Sequence, residues 1–407
     1  MALMNLRNAL MTGKRLPYDA EVEFLENVVG AYIDTGFVPS SSNIEASLLI
    51  LIPAEATQST AYDALFGCAK QDGQSMFILA KQQKQPYVFF RAGTSSLIGG
   101  VTQVNTGSII NASVTLGANN SFTAVVGTRT MTGSYNGSVG LATNGACVFA
   151  VANNNTIILP TIGGYHVGHV LIKEDGATVF DGIPVRVGTV GYLYDRVSGA
   201  LFGNAGTGDF VLGPDVVPVE YLDFTGTQCL DLGFHPTQAT TTSIDIIPSV
   251  TGTSNIGWVS AGNGAGVKYE SYGWSNRAQV YYGGESDVSW SVYDGDHIKM
   301  ELGKNTKYEN ITQGTTYSKI FTDTTFTAAY NLTIGALNSG VYSYFAQMRL
   351  NSASITGDRT MNMLPVRVGT GSTWEGAMID TLTRRIYRNA GTGAFTYGND
   401  LKYPIPA

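Results

Sequence analysis

Charged residues are scarce in this sequence. Asp, Glu, Lys and Arg make up 14% of its 407 residues, whereas about a quarter is usual in globular domains. No run of Lys or Arg occurs, and the formal net charge is −7. Because nucleic-acid binding depends on clustered cations that neutralise phosphates, we expect no nucleic-acid partner.

Cysteines and long apolar runs are also few. Cys68, Cys147 and Cys229 form no CxxC pair, and their odd number predicts buried thiols rather than a disulfide framework. No run of about 18 apolar residues is present, so no membrane insertion is expected. The N-terminus lacks a basic region followed by an unbroken apolar one, which predicts no secretory signal and synthesis in a cytoplasm.

Motifs that carry chemistry are missing as well. There is no Gly-x-Ser-x-Gly elbow and no phosphate-binding loop. His166 and His169 are three residues apart, a spacing that places them on opposite faces of a strand and suits no single metal ion. We therefore predict no catalytic residue, no metal site and no cofactor. Bound Ca²⁺ is the open alternative, with Asp34, Asp231 and Asp294–Asp296 as ligands.

What the sequence does contain is glycine, small polar residues and short apolar segments. Glycine occurs 49 times, and 43% of residues are hydrophobic. Ile298–Leu302 alternates apolar and polar residues, the pattern of a half-buried strand. Long helical patterns are absent after the first dozen residues. Many short strands joined by turns predict an all-β sandwich or jelly roll.

The chain repeats itself. Val22–Leu25 recurs as Val219–Leu222, and Tyr32–Pro39 recurs as Cys229–Pro236, both at an offset of 197. The ends of the copies match more closely and show an offset that grows from 181 to 185. Those blocks are Pro184–Thr189 with Pro365–Thr370, and Asn204–Gly208 with Asn389–Gly393. The second copy therefore carries four extra residues near Gly371–Trp374.

The middle of the copies aligns more weakly, and three pairs of segments carry that alignment. They are Phe66 with Trp258, Val88–Phe90 with Val280–Tyr282, and Phe122–Gly127 with Ile298–Gly303. Strong ends and a diverged middle are typical of one duplicated domain. The predicted organisation is an anchor over 1–20, a jelly roll over 21–213, a link over 214–217, a second jelly roll over 218–398 and a C-terminal tail over 399–407.

The blocks at the two ends of each copy bear a family resemblance. The segments VEFLENVVGAYIDTGF and IPVRVGTVGYLYDRVSGALFGNAGTGDFVLG together resemble a concanavalin-A-like, laminin-G-like jelly roll of the kind found in phage virion proteins and gut-bacterial surface proteins. The resemblance implies two tandem antiparallel jelly-roll β-sandwiches. Asn204–Gly208 is further predicted to form a hairpin between its flanking strands. Glu375–Asp380 is predicted to be a loop in which the copies differ.

Aromatic residues supply the binding candidates. All four tryptophans lie in the second copy, and aromatic faces bind sugars by stacking. Trp258 aligns with Phe66 and is predicted to be core. Trp274, Trp374 and Tyr272 are the predicted glycan-binding residues; packing in the core or between subunits is the alternative.

A short N-terminal helix is predicted from the spacing of Leu3, Leu6 and Leu10. A helix of about ten residues is marginal alone, so these leucines are predicted to anchor the chain in a larger assembly. The alternative is a helix docked on its own domain, or a frayed end.

These features favour one function, with two alternatives. The leading hypothesis is a phage virion protein, a fibre, receptor-binding or capsid-decorating subunit. It would be made in the host cytoplasm, form a homo-oligomer, contact other virion proteins through its N-terminus and bind host-surface glycans. The alternatives are a bacterial surface carbohydrate-binding protein and a glycosidase with a non-standard site.

Overall fold

The chain divides into two compact units, with the boundary between Asp215 and Val216. The predicted N-terminal helix, with Leu3, Leu6 and Leu10, lies outside the residues that the structure describes. The structure is a computed structural model, and it describes residues 16–58, 62–69, 76–82, 87–93, 98–103, 106–137, 139, 145–153, 156–158, 161–249, 256–262, 268–322, 325–401 and 405.

The predicted all-β fold class is confirmed, with antiparallel jelly-roll sandwiches. Within the described ranges the only helical segments are two 3-10 turns, at Ala54–Gln58 and Ala118–Asn120. No helix in this part of the chain is long and apolar enough to cross a membrane.

The strands of the first unit are short and follow one another closely. They are β1 Ala20–Val22, β2 Leu25–Glu26, β3 Ile33–Asp34, β4 Ile44–Leu51, β5 Asp63–Ala69, β6 Met76–Lys81, β7 Tyr87–Ala92, β8 Ile98–Gln103, β9 Ile109–Gly117, β10 Ser121–Val126, β11 Arg129–Ser134, β12 Cys147–Val148, β13 Val151–Asn153, β14 Thr156–Ile158, β15 His166–Glu174, β16 Ala177–Val187, β17 Val190–Asp195, β18 Leu201–Phe202 and β19 Val211–Leu212.

Strand β20, Asp215–Pro218, spans the boundary, and the second unit follows. Its strands are β21 Leu222–Thr225, β22 Leu230–Asp231, β23 Thr241–Pro248, β24 Ile256–Ser260, β25 Lys268–Trp274, β26 Arg277–Gly283, β27 Glu285–Ser291, β28 Ile298–Leu302, β29 Asn305–Asn310, β30 Thr315–Ile320, β31 Thr333–Ile334, β32 Leu337–Asn338, β33 Tyr342–Ser343, β34 Gln347–Thr356, β35 Met361–Thr370, β36 Thr373–Asp380, β37 Ile386–Tyr387 and β38 Thr396–Tyr397.

The two units share one topology. In the first, the larger sheet runs β11-β10-β9-β4-β15-β16-β17-β18. In the second, it runs β30-β29-β28-β23-β34-β35-β36-β37. The opposing sheets also correspond, because β8-β7-β6-β5-β12-β3 matches β27-β26-β25-β24-β31-β22. Matching strand order in both sheets is what duplication of one domain predicts.

Each unit has its own core. Phe66 and Trp258 are fully buried at equivalent positions on β5 and β24, as the repeat alignment predicted. The predicted alignment of Phe122–Gly127 with Ile298–Gly303 is wrong by one strand, because β10 corresponds to β29 and not to β28. Both segments alternate buried and less buried positions, and neighbouring strands of one sheet share this pattern, so it does not distinguish them.

The three cysteines are free and buried, as predicted. Burial raises the pKa of the Cys147 thiol to about 12, and it does the same for Cys229. These thiols therefore stay protonated at neutral pH and behave as small apolar side chains.

The Asn204–Gly208 segment does not form the predicted hairpin. The strands on either side of it pair elsewhere, β18 with β17 and β19 with β2. Instead, Asn204 Oδ1 accepts hydrogen bonds from the backbone N–H groups of Tyr32 and Gly206, at 3.1 and 2.9 Å. Its Nδ2 donates to the Gly208 carbonyl. These hydrogen bonds connect the end of the copy to its beginning, and we call the Asn204–Gly208 segment the clasp.

The second copy repeats this clasp. Asn389 Oδ1 accepts from the N–H groups of Cys229 and Gly391, at 3.0 and 2.9 Å, and Nδ2 donates to the Gly393 carbonyl at 2.9 Å. In each copy, the start block that begins at Tyr32 or Cys229 therefore contacts the end block that begins at Asn204 or Asn389.

Removal of either clasp asparagine is expected to destabilise its own unit. Asn204→Ala or Asn389→Ala deprives two backbone N–H groups of their acceptor, at a cost of about 1–3 kcal/mol in free energy of unfolding. Urea denaturation measures the loss. Asn305→Ala, at an exposed strand position, is the control and should change that energy by less than about 0.5 kcal/mol. Equal effects at the three positions would contradict the clasp.

The four extra residues of the second copy lengthen a hairpin. In the first unit, Val187 pairs with Val190 across the turn between β16 and β17. In the second unit, two further pairs extend the equivalent β35–β36 hairpin, and Trp374 belongs to one of them. Glu375–Asp380 lies within strand β36 and is not the predicted loop. Each strand of the hairpin therefore gains two residues. Because side chains alternate with a period of two, both strands keep their inward and outward positions.

Candidate functional site

The second unit has an open groove of about 880 Å³ on the outer face of its larger sheet. The groove follows from strand alternation. On β23, Thr242, Ile244 and Ile246 point into the core, so Ser243 and Asp245 point outward. On β28, Met300 is buried while Lys299 is exposed.

Strand register arranges the outward side chains in two rows across the sheet. The first row runs Ser318, Lys307, Glu301, Ser243, Ser354 and Asn362. The second runs Thr316, Glu309, Lys299, Asp245 and Ser352. Directly paired residues lie on adjacent strands about 4.8 Å apart, so the first row, over six strands, spans about 24 Å.

Both rows carry charges in the middle and hydroxyl or amide groups at the ends. The Lys307 ammonium lies 3.5 Å from the Glu301 carboxylate, and the Lys299 ammonium lies 4.0 Å from Asp245. Asp245 Oδ1 also contacts His297 Nε2 and accepts from Asn351 Nδ2, each at 2.7 Å. The lysine side chains are more than half exposed. The groove therefore presents donors and acceptors that a ligand can reach.

The equivalent face of the first unit has a different chemistry. Its rows are Thr132, Thr123, Thr115, Glu45 and Lys173, and Thr130, Val125, Ser113, Ser47 and Leu171. One ion pair lies at the end of a row, with Lys173 Nζ 3.3 Å from Glu45 Oε2. Threonine, serine and valine fill the middle. The two copies therefore differ in chemistry on this face.

The three predicted glycan-binding residues do not converge. Trp274 is 41% exposed at the end of β25, where it pairs with Arg277. Tyr272 lies on the same strand but is only 7% exposed. Its ring stacks on that of Tyr281, with centroids 6.0 Å apart, and its hydroxyl donates to Gln279 Oε1 at 2.7 Å. Burial raises the pKa of Tyr272 above its usual range.

Trp374 lies in the other sheet, on the lengthened hairpin. The Arg367 guanidinium covers one face of its ring, 3.7 Å from the centroid, and its indole N–H donates to the Gly371 carbonyl at 2.9 Å. Arg367 is itself held by the carboxylate of Asp400 through two contacts of 2.6 and 2.7 Å. One stacking face of Trp374 is therefore already used within the protein.

The carboxylates considered for Ca²⁺ take part in hydrogen bonds within the protein. Asp296 Oδ2 accepts from the side-chain amides of Asn310 and Gln313, each at 2.7 Å. Asp231 Oδ2 accepts from the Tyr342 hydroxyl at 2.7 Å. Asp34 Oδ1 accepts from the Gly36 N–H at 2.9 Å. Over the described ranges, no three His, Cys, Asp or Glu side chains are grouped as a metal site would require.

The two histidines of the HxxH segment have separate partners. His166 Nε2 lies 3.0 Å from Glu26 Oε2, and its ring stacks on Phe24. Burial, partly offset by Glu26, lowers the pKa of His166. His169 Nε2 lies 2.8 Å from Asp181 Oδ1. A β-bulge between Val167 and His169 places His166 opposite Leu51 and His169 opposite Leu49. The two histidines therefore lie on the same face of the strand, and the predicted opposite orientation is wrong because the bulge adds one residue to the alternation.

The groove is not among the features that the sequence predicts. The sequence does contain one relevant pattern: Lys299 and Glu301 flank Met300, and Lys307 and Glu309 flank Tyr308. This pattern predicts two half-buried strands with charged outer faces. That Glu301 lies opposite Lys307, and Ser243 opposite Glu301, depends on the register between strands.

Comparison with known proteins gives fold-level likeness to solved structures. No protein-family model matches the chain, and no curated protein sequence matches it. The mouse laminin alpha1 chain, domains LG4-5, is similar over 86% of this chain and 93% of its own, with 8% identity and a TM-score of 0.30.

Two further solved structures are similar at the same level. The LG1-3 region of the laminin alpha2 chain matches 80% of this chain and 64% of its own, with 14% identity and a TM-score of 0.27. The botulinum neurotoxin serotype D binding domain matches 93% of each chain, with 8% identity and a TM-score of 0.27. Similarity of this degree does not indicate a ligand for this chain.

Proposed function

We propose that the second unit is a glycan-binding jelly roll whose ligand lies along the groove of its larger sheet. The two cross-strand rows support this. A chain of sugars offers hydroxyl groups that both donate and accept hydrogen bonds, and the rows offer ammonium, carboxylate, hydroxyl and amide groups at strand spacing. The open groove has room for several sugar units along its length of about 24 Å.

The charge balance of the groove favours a neutral glycan. Its central side chains are two lysines and three carboxylates, Asp245, Glu301 and Glu309. The whole chain also carries a formal net charge of −7. A polyanion such as nucleic acid or a sulfated polysaccharide would meet net repulsion there.

Neutralising the central ion pair is expected to weaken glycan binding. The double variant Glu301→Gln with Lys307→Met keeps side-chain size but removes two charged hydrogen-bonding groups. Because a hydrogen bond to a charged group contributes about 1.5–3 kcal/mol, affinity should fall about 10- to 100-fold. Glycan-array screening identifies the ligand, and isothermal titration measures the change.

The matched control neutralises the ion pair on the equivalent face of the first unit. Glu45→Gln with Lys173→Met removes the same charges at a similar distance, and affinity should stay unchanged. If this control lost binding and the groove variant did not, the binding site would lie in the first unit. Loss of binding on Trp274→Ala or Trp374→Ala, with the groove variant unaffected, would instead favour the tryptophans predicted from the sequence.

We further propose that the groove binds without cleaving. A glycosidase needs two carboxylates in different surroundings, one acting as acid and the other as base or nucleophile. Here all three carboxylates line the open groove, and each lies opposite a lysine on the neighbouring strand, which does not give one of them the apolar surroundings of a general acid. Incubation with polysaccharides should release no reducing ends. Hydrolysis that disappears on Glu301→Gln would establish the glycosidase alternative.

The biological setting that we propose is the phage virion, with the chain made in the host cytoplasm and displayed as an oligomeric adhesion or decoration subunit. The sequence resemblance supports this setting, and a bacterial surface protein is the alternative. Mass spectrometry of purified particles and of cell-surface fractions separates the two. The virion proposal also expects deletion of residues 1–15 to abolish incorporation into particles while both jelly rolls stay folded.

A further inference from the structure

The first unit holds a lysine and an aspartate in contact inside its β-structure. Asp63 and Lys81 are direct partners across the antiparallel pair β5–β6. The Lys81 ammonium nitrogen lies 3.0 Å from Asp63 Oδ2, and both side chains are 0% exposed. Removing two opposite charges from water costs several kcal/mol each, and their attraction offsets this only when every remaining donor and acceptor is satisfied.

That condition is not met by an ion pair at this site. The Lys81 ammonium has three N–H donors, and it donates to Asp63 Oδ2 and to the Ala56 carbonyl. Asp63 Oδ2 also accepts from the Tyr165 hydroxyl at 2.9 Å. Asp63 Oδ1 is buried and has no hydrogen-bond partner among the residues that the structure describes. Among the described residues, an ion pair therefore leaves one N–H group of Lys81 and one carboxylate oxygen of Asp63 without a hydrogen-bond partner.

An amide would satisfy the same surroundings. It has a single N–H, which the Ala56 carbonyl accepts, and a single carbonyl oxygen, which accepts from the Tyr165 hydroxyl. The unpartnered carboxylate oxygen would no longer be present. The partners around Lys81 and Asp63 match the donors and acceptors of an amide one for one.

We propose that Lys81 Nζ and Asp63 Cγ become joined by an intramolecular amide bond, a covalent cross-link between β5 and β6. Transfer of a proton from the ammonium to the carboxylate gives the neutral amine and the carboxylic acid from which an amide forms. The amine nitrogen then attacks Cγ, and the Tyr165 hydroxyl stabilises the developing negative charge on oxygen.

The reaction is balanced by the loss of one water. The N–C bond forms, the C–O bond to the other carboxylate oxygen breaks, and that oxygen leaves with the two remaining protons. No oxidant, reductant or cofactor takes part. Because the amine and the carboxyl group are already in contact, the reaction does not depend on their meeting by diffusion. This positioning lowers the free-energy barrier of amide formation.

The second copy provides an internal comparison. Lys81 pairs with Val88 in the first unit, and Val280, the counterpart of Val88, pairs with Ser271 in the second, so the equivalent residue has no amine. The cross-link is therefore a property of the first unit only.

Intact-mass measurement of the denatured full chain tests the proposal. The wild-type chain should be lighter than its sequence by one water, whereas Lys81→Met and Asp63→Ala should each show the full mass of their own sequences. Because masses are read on denatured protein, the variants need not fold. A wild-type chain at its full sequence mass overturns the proposal.

Digestion locates the missing water. Trypsin does not cleave after an acylated lysine, so residues 71–84 should remain one peptide, joined through Lys81 to the peptide of residues 16–70. Fragmentation of that species should give two N-terminal series, beginning at Leu16 and at Gln71. A single series, or water loss confined to an Asp-Gly step such as Asp294-Gly295, would show succinimide formation instead and contradict the cross-link.

Discussion

Trp258→Ala is expected to cost the second unit about 3–5 kcal/mol of its free energy of unfolding and to leave the first unit unchanged. The indole is fully buried in the core of the second unit, and a cavity of that size does not collapse completely. Phe66→Ala should have the converse effect, because it empties the equivalent position of the first core.

The indole N–H of Trp258 makes a second substitution informative. That N–H is buried without a hydrogen-bond partner in the described part of the chain, which costs about 1–3 kcal/mol. Trp258→Phe installs the residue of the first copy, loses some packing and removes the unpartnered group, so its net cost should be below about 1.5 kcal/mol.

Calorimetry of the full chain, with the two transitions assigned through Phe66→Ala, measures these effects. Trp274→Ala is the control, because this side chain is 41% exposed. Its effect on either transition should be small. A Trp258→Ala variant that melts like the wild type would show that the two copies do not share a core arrangement.

Asp181→Asn is expected to cost the first unit about 3–5 kcal/mol at pH 7, because it leaves the largely buried Arg196 guanidinium without its counter-charge and disrupts the contact with His169. Asp181 contacts His169 at 2.8 Å and accepts two hydrogen bonds from the Arg196 guanidinium, at 3.0 and 2.9 Å. Burial tends to raise the pKa of Asp181, but His169 and Arg196 outweigh it and lower the pKa from 3.8 to about 2.

This pKa shift predicts how stability depends on acid. The depressed pKa means that Asp181 contributes its full stabilisation above pH of about 4, and loses it as the pH falls through about 2. The shift corresponds to about 2 kcal/mol. Urea titrations of the first unit between pH 5 and pH 2 should show this loss for the wild type and a smaller one for Asp181→Asn.

Asp223→Asn is the control for Asp181. Its partner Arg349 is half exposed, with Nε 3.1 Å from Asp223 Oδ1. An exposed ion pair contributes less than about 1 kcal/mol, so this variant should stay near wild-type stability at pH 7. Equal losses for the two variants would mean that burial around Asp181 does not strengthen its ion pairs.

The sequence by itself determined the features that depend on local pattern. Alternation of apolar and polar residues specified strands, and matching blocks at fixed offsets revealed a duplication. The equivalence of Phe66 and Trp258 predicted two core positions. Three unmatched cysteines predicted buried thiols. Each of these follows from residues close in the chain or from direct comparison of the copies.

Only the tertiary structure decided what depends on pairing between distant strands. The sequence predicted a hairpin at Asn204–Gly208 because glycine-rich links commonly join neighbouring strands, but the asparagine instead binds backbone near Tyr32, over 170 residues away. The two rows of the groove arise from register across up to six strands. The contact of Lys81 with Asp63 arises from one antiparallel ladder. Register is set by the packing of whole sheets, and a shift of one residue would turn each of these side chains to the opposite face.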